Sequence, residues 1–145
     1  MTALVVFDLD GTLVDSRRDL ANAANALVVG LGGAPLSEDA VGEMVGEGAA
    51  VLVRRALTAA GLDPDLSDAL PRFLELYDQR LLEHTRPYDG ILEVLEYLHA
   101  GHALAVLTNK PQAATDKLLA GLGLSRFFRD VVGGDTPFGR KPAAA

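Results

Sequence analysis

The valine-rich run ALVVFD, residues 3–8, is the only strand-like segment in the first half of the chain. A lone strand leaves its backbone N–H and C=O groups without partners, so its neighbours must come from far along the sequence. From Asp15 to about Thr85, alanine and leucine recur at helical spacing and no strand pattern interrupts them. DLANAANALVVGLG reads as a helix ended by glycines, and SEDAVGEMVG as a shorter one with Ser37 as N-cap. AAVLVRRALTAAG is amphipathic and stops at Gly61. LPRFLELYDQRLLEHT is a fourth helix, with Pro71 in its first turn.

After RPYDG the pattern changes. ILEVLEYLHAG reads as a helix, ALAVLT (103–108) as a buried strand, PQAATDKLLAGLG as a helix and DVVGG (130–134) as a strand. Helices and strands alternating at this spacing predict a parallel sheet with helical crossovers. ALVVFD then belongs to that later sheet, and as a continuous apolar run it is expected to be covered on both faces. The expected architecture is an α/β, Rossmann-like parallel sheet core from residues 1–14 and 86–145, with four helices of residues 15–85 inserted.

Composition narrows the function classes. The chain has 145 residues, 49% hydrophobic and 23% charged, which suits one globular domain rather than a disordered segment. Thirteen basic against twenty acidic residues give a net charge of −7, which argues against nucleic acid or an anionic membrane as partner. No cysteine is present, so disulfide and thiolate chemistry are excluded. MTALVVFDLDG lacks the pattern of a signal peptide, and no apolar stretch reaches the length of a membrane span, so a cytoplasmic protein is expected.

The first strand runs into FDLDGTLVDS, placing Asp8 and Asp10 one residue apart at its end. Two anions this close call for a positive group between them. Residues two apart on an extended strand point the same way, so both carboxylates can serve one substrate. Gly11 lets the chain turn at once. In open parallel sheets, ligands bind beyond the carboxyl ends of the strands. Thr108 and Asn109 in LTNKP sit at a second such end, and Lys141 in GRKP follows the third after a loop. An oxyanion with its metal would account for this set.

Each residue also has a plainer reading. Asp-Gly is often only a turn, Thr108 and Asn109 suit a helix cap, and Lys141 alone suits an exposed surface. Gly46 and Gly48 suit a break between helices. His84, His99 and His102 have no ligand-like spacing and are expected at the surface.

FDLDGTLVDS, LTNK and the lysine of GRKP together resemble the three motifs of the haloacid dehalogenase-like hydrolases. The helical insert stands where many members carry a mobile cap. MVGEGAAVLVRRAL, LTNKP and VVGGDTPFGRKP are similar to the phosphoglycolate phosphatase branch. The resemblance implies Asp8 as nucleophile forming an aspartyl-phosphate, and Asp10 as general acid and then base. It implies that Thr108 and Asn109 hold the phosphoryl oxygens with Lys141, which also neutralises charge on Asp8. Mg2+ would bind the Asp8 carboxylate and the Asp10 backbone carbonyl. In the insert, Gly48 and Arg54 (or Arg55) would meet the substrate carboxylate. The implied substrate is a small phosphorylated metabolite, 2-phosphoglycolate first, with a sugar phosphate in a related phosphatase or phosphomutase as the alternative. Members carry a further acidic motif after the lysine that supplies a last metal ligand, whereas this chain stops at KPAAA. It therefore resembles a C-terminally truncated form with an incomplete sheet. A non-catalytic fragment that binds anions or a partner chain is the other alternative, and self-association through an uncovered sheet edge is expected.

Overall fold

The computed structural model describes residues 3–135. In chain order the elements are β1 (Leu4–Phe7), β2 (Val14–Asp15), α1 (Arg17–Gly30), α2 (Glu38–Gly42), α3 (Ala49–Ala59) and α4 (Ala69–Arg80). Then follow β3 (Arg86–Pro87), α5 (Ile91–His99), β4 (Ala103–Leu107), α6 (Gln112–Gly121), a 3-10 turn at Ser125–Phe127 and β5 (Asp130–Val132). The chain divides into two compact units. One comprises residues up to Asp15 with those from Arg86 onward, and the other is Ser16–Thr85.

The first unit is an α/β fold around a parallel sheet of order β1-β4-β5. β1 pairs with β4 from Leu4↔Ala103 to Phe7↔Val106, so the isolated valine-rich strand does find its partner about a hundred residues on. β4 is central, and Leu104, Ala105 and Val106 are buried there. Leu95 of α5, Leu118 and Leu119 of α6, and Leu124 and Phe127 complete the core. Fully burying one such side chain contributes about 1.5–3 kcal/mol.

Two expectations need correction. β1 is not covered on both faces: Leu4 and Val6, which share one face, are 52% and 53% exposed, and β1 is also an edge strand among the described residues. Continuous hydrophobicity predicts two covered faces only when layers lie on both sides. The second difference is a two-residue antiparallel ribbon, Val14↔Pro87 and Asp15↔Arg86, extended by Tyr88 N–H donating to the Leu13 carbonyl at 3.1 Å. It ties together the two points where the chain leaves and re-enters this unit. It is too short to register as a strand pattern.

The second unit is all helical. α1 buries Leu20, Ala23, Ala24, Leu27 and Val28, the i, i+3, i+4, i+7, i+8 stripe of an amphipathic helix. It packs on α4, α2 and α3, and its small alanines permit close approach. α4 buries Ala69, Phe73 and Tyr77 at successive i+4 steps, with the two rings stacked 5.9 Å apart. Ser37 caps α2 as expected, its Oγ accepting from Ala40 N–H at 3.1 Å, but α2 ends at Gly42, earlier than its sequence suggested. The Asn25 side chain holds the loop after α1 by bonding both the N–H and the C=O of Leu36, at 2.7 and 2.8 Å. Among the described residues, no helix is long and apolar enough to cross a membrane.

Candidate active site

The segment after β1 is a tight loop anchored by apolar residues. Leu9, Leu13 and Val14 are fully buried, and the Leu9 carbonyl accepts from the N–H groups of Thr12, Leu13 and Val14 at 3.0–3.2 Å. Gly11 sits at φ 83°, a left-handed conformation that a side chain disfavours, and its N–H donates to the Val14 carbonyl at 3.0 Å. Asp8 and Asp10 flank the buried Leu9 and are themselves only partly buried. β1 has ended by then, so this loop rather than strand alternation sets where the two carboxylates lie. One Asp8 oxygen accepts from the Leu9 N–H at 2.8 Å.

Asp10 meets a cation, and it comes from the neighbouring strand's loop. Lys110 Nζ lies 3.1 Å from each Asp10 carboxylate oxygen, with the two side chains only 4% and 10% exposed. Sequence reasoning passed over Lys110, although it stands inside LTNKP. Nothing local says which acid it will reach, because the contact spans one hundred positions.

Thr108 and Asn109 follow β4 and are buried. Thr108 N–H continues the sheet to the Val132 carbonyl at 3.0 Å, and its Oγ1 accepts from Lys110 N–H at 3.1 Å. The loop after β5 closes on this segment. Gly134 N–H donates to the Lys110 carbonyl at 2.8 Å, and Gly133 N–H to Gln112 Oε1 at 2.6 Å. Gln112 Nε2 donates to the Val131 carbonyl at 3.0 Å, and Asp135 Oδ1 accepts from Gln112 N–H at 2.7 Å. A Cβ on Gly134 would lie 2.3 Å from the Asn109 carbonyl oxygen, so VVGGD carries glycine there for close approach. Gly134→Ala is therefore expected to push the Thr108–Lys110 loop aside and lower stability by about 1–3 kcal/mol, the range for overpacking. Thermal melting checks this, and a melting temperature equal to the parent's would show that the loop yields without cost.

Lys141 lies outside the described residues. Gly48, at φ 98°, caps the start of α3 in the helical unit. Arg54 is exposed there and pairs with Asp65, while Arg55 pairs with Glu47. His84 and His99 are exposed and His102 is partly buried.

Among the described residues, Asp19, Glu83 and His84 are the one group of acidic or imidazole side chains close enough to share a metal ion. Asp19 is fully buried and serves as a clasp. Its oxygens accept from His84 N–H at 2.9 and 3.0 Å, from Thr85 N–H at 2.8 Å and from Thr85 Oγ1 at 2.7 Å. The carboxylate thus joins the first and last turns of the helical unit.

Two carboxylates and a hydroxyl–amide–ammonium segment thus lie at the carboxyl ends of adjacent parallel strands, where open α/β sheets bind ligands. A model of the haloacid dehalogenase-like hydrolases matches residues 5–145, and the chain belongs to that family. It is 46% identical to a phosphoglycolate phosphatase of Rhodospirillum rubrum over 153 residues, covering all of this chain and 64% of that protein. It is 44% identical to a phosphoglycolate phosphatase of Pseudomonas fluorescens Pf0-1 over 149 residues, covering 98% and 54%. Among solved structures, one described as a "predicted phosphoglycolate phosphatase" from Haemophilus somnus 129pt superposes with a TM-score of 0.87 at 34% identity. That match covers 97% of this chain and 66% of that one. The chain thus spans between about half and two thirds of these relatives.

Proposed function

We propose that these residues serve a magnesium-dependent phosphomonoester hydrolase that converts 2-phosphoglycolate to glycolate and phosphate. The activity is proposed for the protein carried on to the length of its relatives. The observation that supports it most is the meeting of the Asp8–Asp10 loop with the Thr108–Lys110 loop at the ends of β1 and β4, through the Asp10–Lys110 pair.

Asp8 attacks phosphorus as the ester P–O bond breaks, and Asp10 gives the departing alkoxide its proton. Asp10 then takes a proton from water, which attacks the aspartyl-phosphate; phosphate leaves and Asp8 is regenerated. Thr108 and Asn109 orient the phosphoryl oxygens, since positioning and positive charge do most of the work in phosphoryl transfer. Lys141 adds charge against Asp8 and the phosphate. Magnesium is a hard cation that takes one or two carboxylates with substrate phosphate oxygens, which fits the Asp8 carboxylate and the Asp10 carbonyl, and it would offset phosphate charge there. In this reading residues 16–85 act as the cap, with Gly48 and Arg54 toward the substrate carboxylate. A small-metabolite substrate and the absence of cysteine suit the cytoplasm.

Among the described residues β1 has an open edge and half-exposed Leu4 and Val6, a template on which a second copy of the 145-residue chain would pair edge to edge. One set of measurements tests both statements. Phosphate release is followed over 2-phosphoglycolate and hexose phosphates in a magnesium titration of the relatives'-length protein, beside light scattering of the 145-residue chain. Magnesium-dependent release with the highest kcat/KM on 2-phosphoglycolate is expected, with self-association of the shorter chain. Preference for a hexose phosphate would move the substrate assignment to the sugar-phosphate branch. No release from any phosphoester would remove the hydrolase reading, and a monodisperse monomer would remove the edge pairing.

A further inference from the structure

We infer that Lys110 is a positioning residue that fixes the Asp10 carboxylate for its acid–base work. The inference rests on the hydrolase reading given above. A lysine is almost never buried unless paired, yet the Lys110 side chain is 4% exposed with its ammonium astride both Asp10 oxygens at 3.1 Å. A cation bridging both oxygens restrains the rotation of the carboxylate about its last bond, which a contact to one oxygen would not do.

The anchor of that ammonium is itself held. Lys110 N–H is bound by Thr108 Oγ1 at 3.1 Å, and its carbonyl accepts from Gly134 N–H at 2.8 Å. The two residues before it, Thr108 and Asn109, are buried. The fixed main chain sets where the four-carbon side chain starts, and the Asp10 carboxylate sets where it ends. The same contact places a chain-borne positive charge on one of the two carboxylates that the sequence sets one residue apart.

The test uses Lys110→Met, Lys110→Arg, Asp10→Asn and the double variant Asp10→Asn/Lys110→Met, in the protein carried on to the relatives' length. With 2-phosphoglycolate, Lys110→Met is expected to lower kcat at least about 30-fold, a share of the ~10²–10⁴-fold that acid–base catalysis contributes, with KM little changed. Lys110→Arg keeps the charge and should recover part of kcat. The double variant should be no slower than Asp10→Asn alone, because Lys110 acts through Asp10. Multiplying losses, no recovery in Lys110→Arg, or a loss carried in KM would overturn the inference. Melting temperatures of the same four proteins form a second cycle that does not depend on turnover. Non-additive shifts support the pairing and additive ones overturn it, so a parent without phosphatase activity sinks the hydrolase reading and leaves this cycle to decide.

Discussion

On the proposed hydrolase reading, and in the protein carried on to the relatives' length, Asp8→Asn is expected to lower phosphate release by on the order of 10³-fold or more, while the protein melts close to the parent's temperature. An amide is not an anionic nucleophile. The fold should tolerate the change because Asn keeps the side-chain oxygen that accepts from the Leu9 N–H. The loop has its other supports in the buried Leu9, Leu13 and Val14 and in the three hydrogen bonds to the Leu9 carbonyl. Parallel phosphate-release assays and melting curves decide the matter. Retained turnover in Asp8→Asn would refute the covalent mechanism.

Asp19→Ala is expected to destabilise the protein by about 3 kcal/mol, seen as a fall in melting temperature of roughly 10 °C. The substitution removes a fully buried carboxylate that accepts from two backbone N–H groups and a hydroxyl. Thr85 is itself fully buried, so its N–H and Oγ1 would lose this acceptor where water does not reach. Glu75→Ala, on the exposed side of α4, should stay within about 0.5 kcal/mol of the parent. Equal shifts in the two variants would rule out the clasp. A rise in the parent's melting temperature with added divalent cation, absent in Asp19→Ala, would assign the Asp19, Glu83 and His84 group to a metal instead.

Much of the architecture was legible in local pattern, because the information is local. Leu20, Ala24, Leu27 and Val28 recur at the helical period whatever they pack against, and Ser37 caps from its own side chain. The wide gap between ALVVFD and the next strand calls for a long-range pairing, and β1 does pair with β4, although its register, Leu4 opposite Ala103, is read only from the structure. FDLDGTLVDS and LTNK marked the two loops that meet through Asp10 and Lys110, since Asp-x-Asp-Gly-Thr at a strand end is a chemical pattern more than a packing one.

What the sequence alone determined was therefore the class of fold, the order of its longer helices and strands, and the two loops that meet at the ends of β1 and β4. Tertiary structure alone decided which charges meet. Lys110 reaches Asp10 across one hundred positions, Asp19 reaches Thr85 across sixty-six, and Gly134 leaves room for the Asn109 carbonyl. It also decided which face of β1 stays open, with Leu4 and Val6 half exposed where hydrophobicity alone predicts burial. The physical reason is the same in each case. Periodicity and capping are set by neighbours within a turn or two, whereas ion pairs, close approaches and coverage depend on which distant segments the folded backbone brings within a few ångströms.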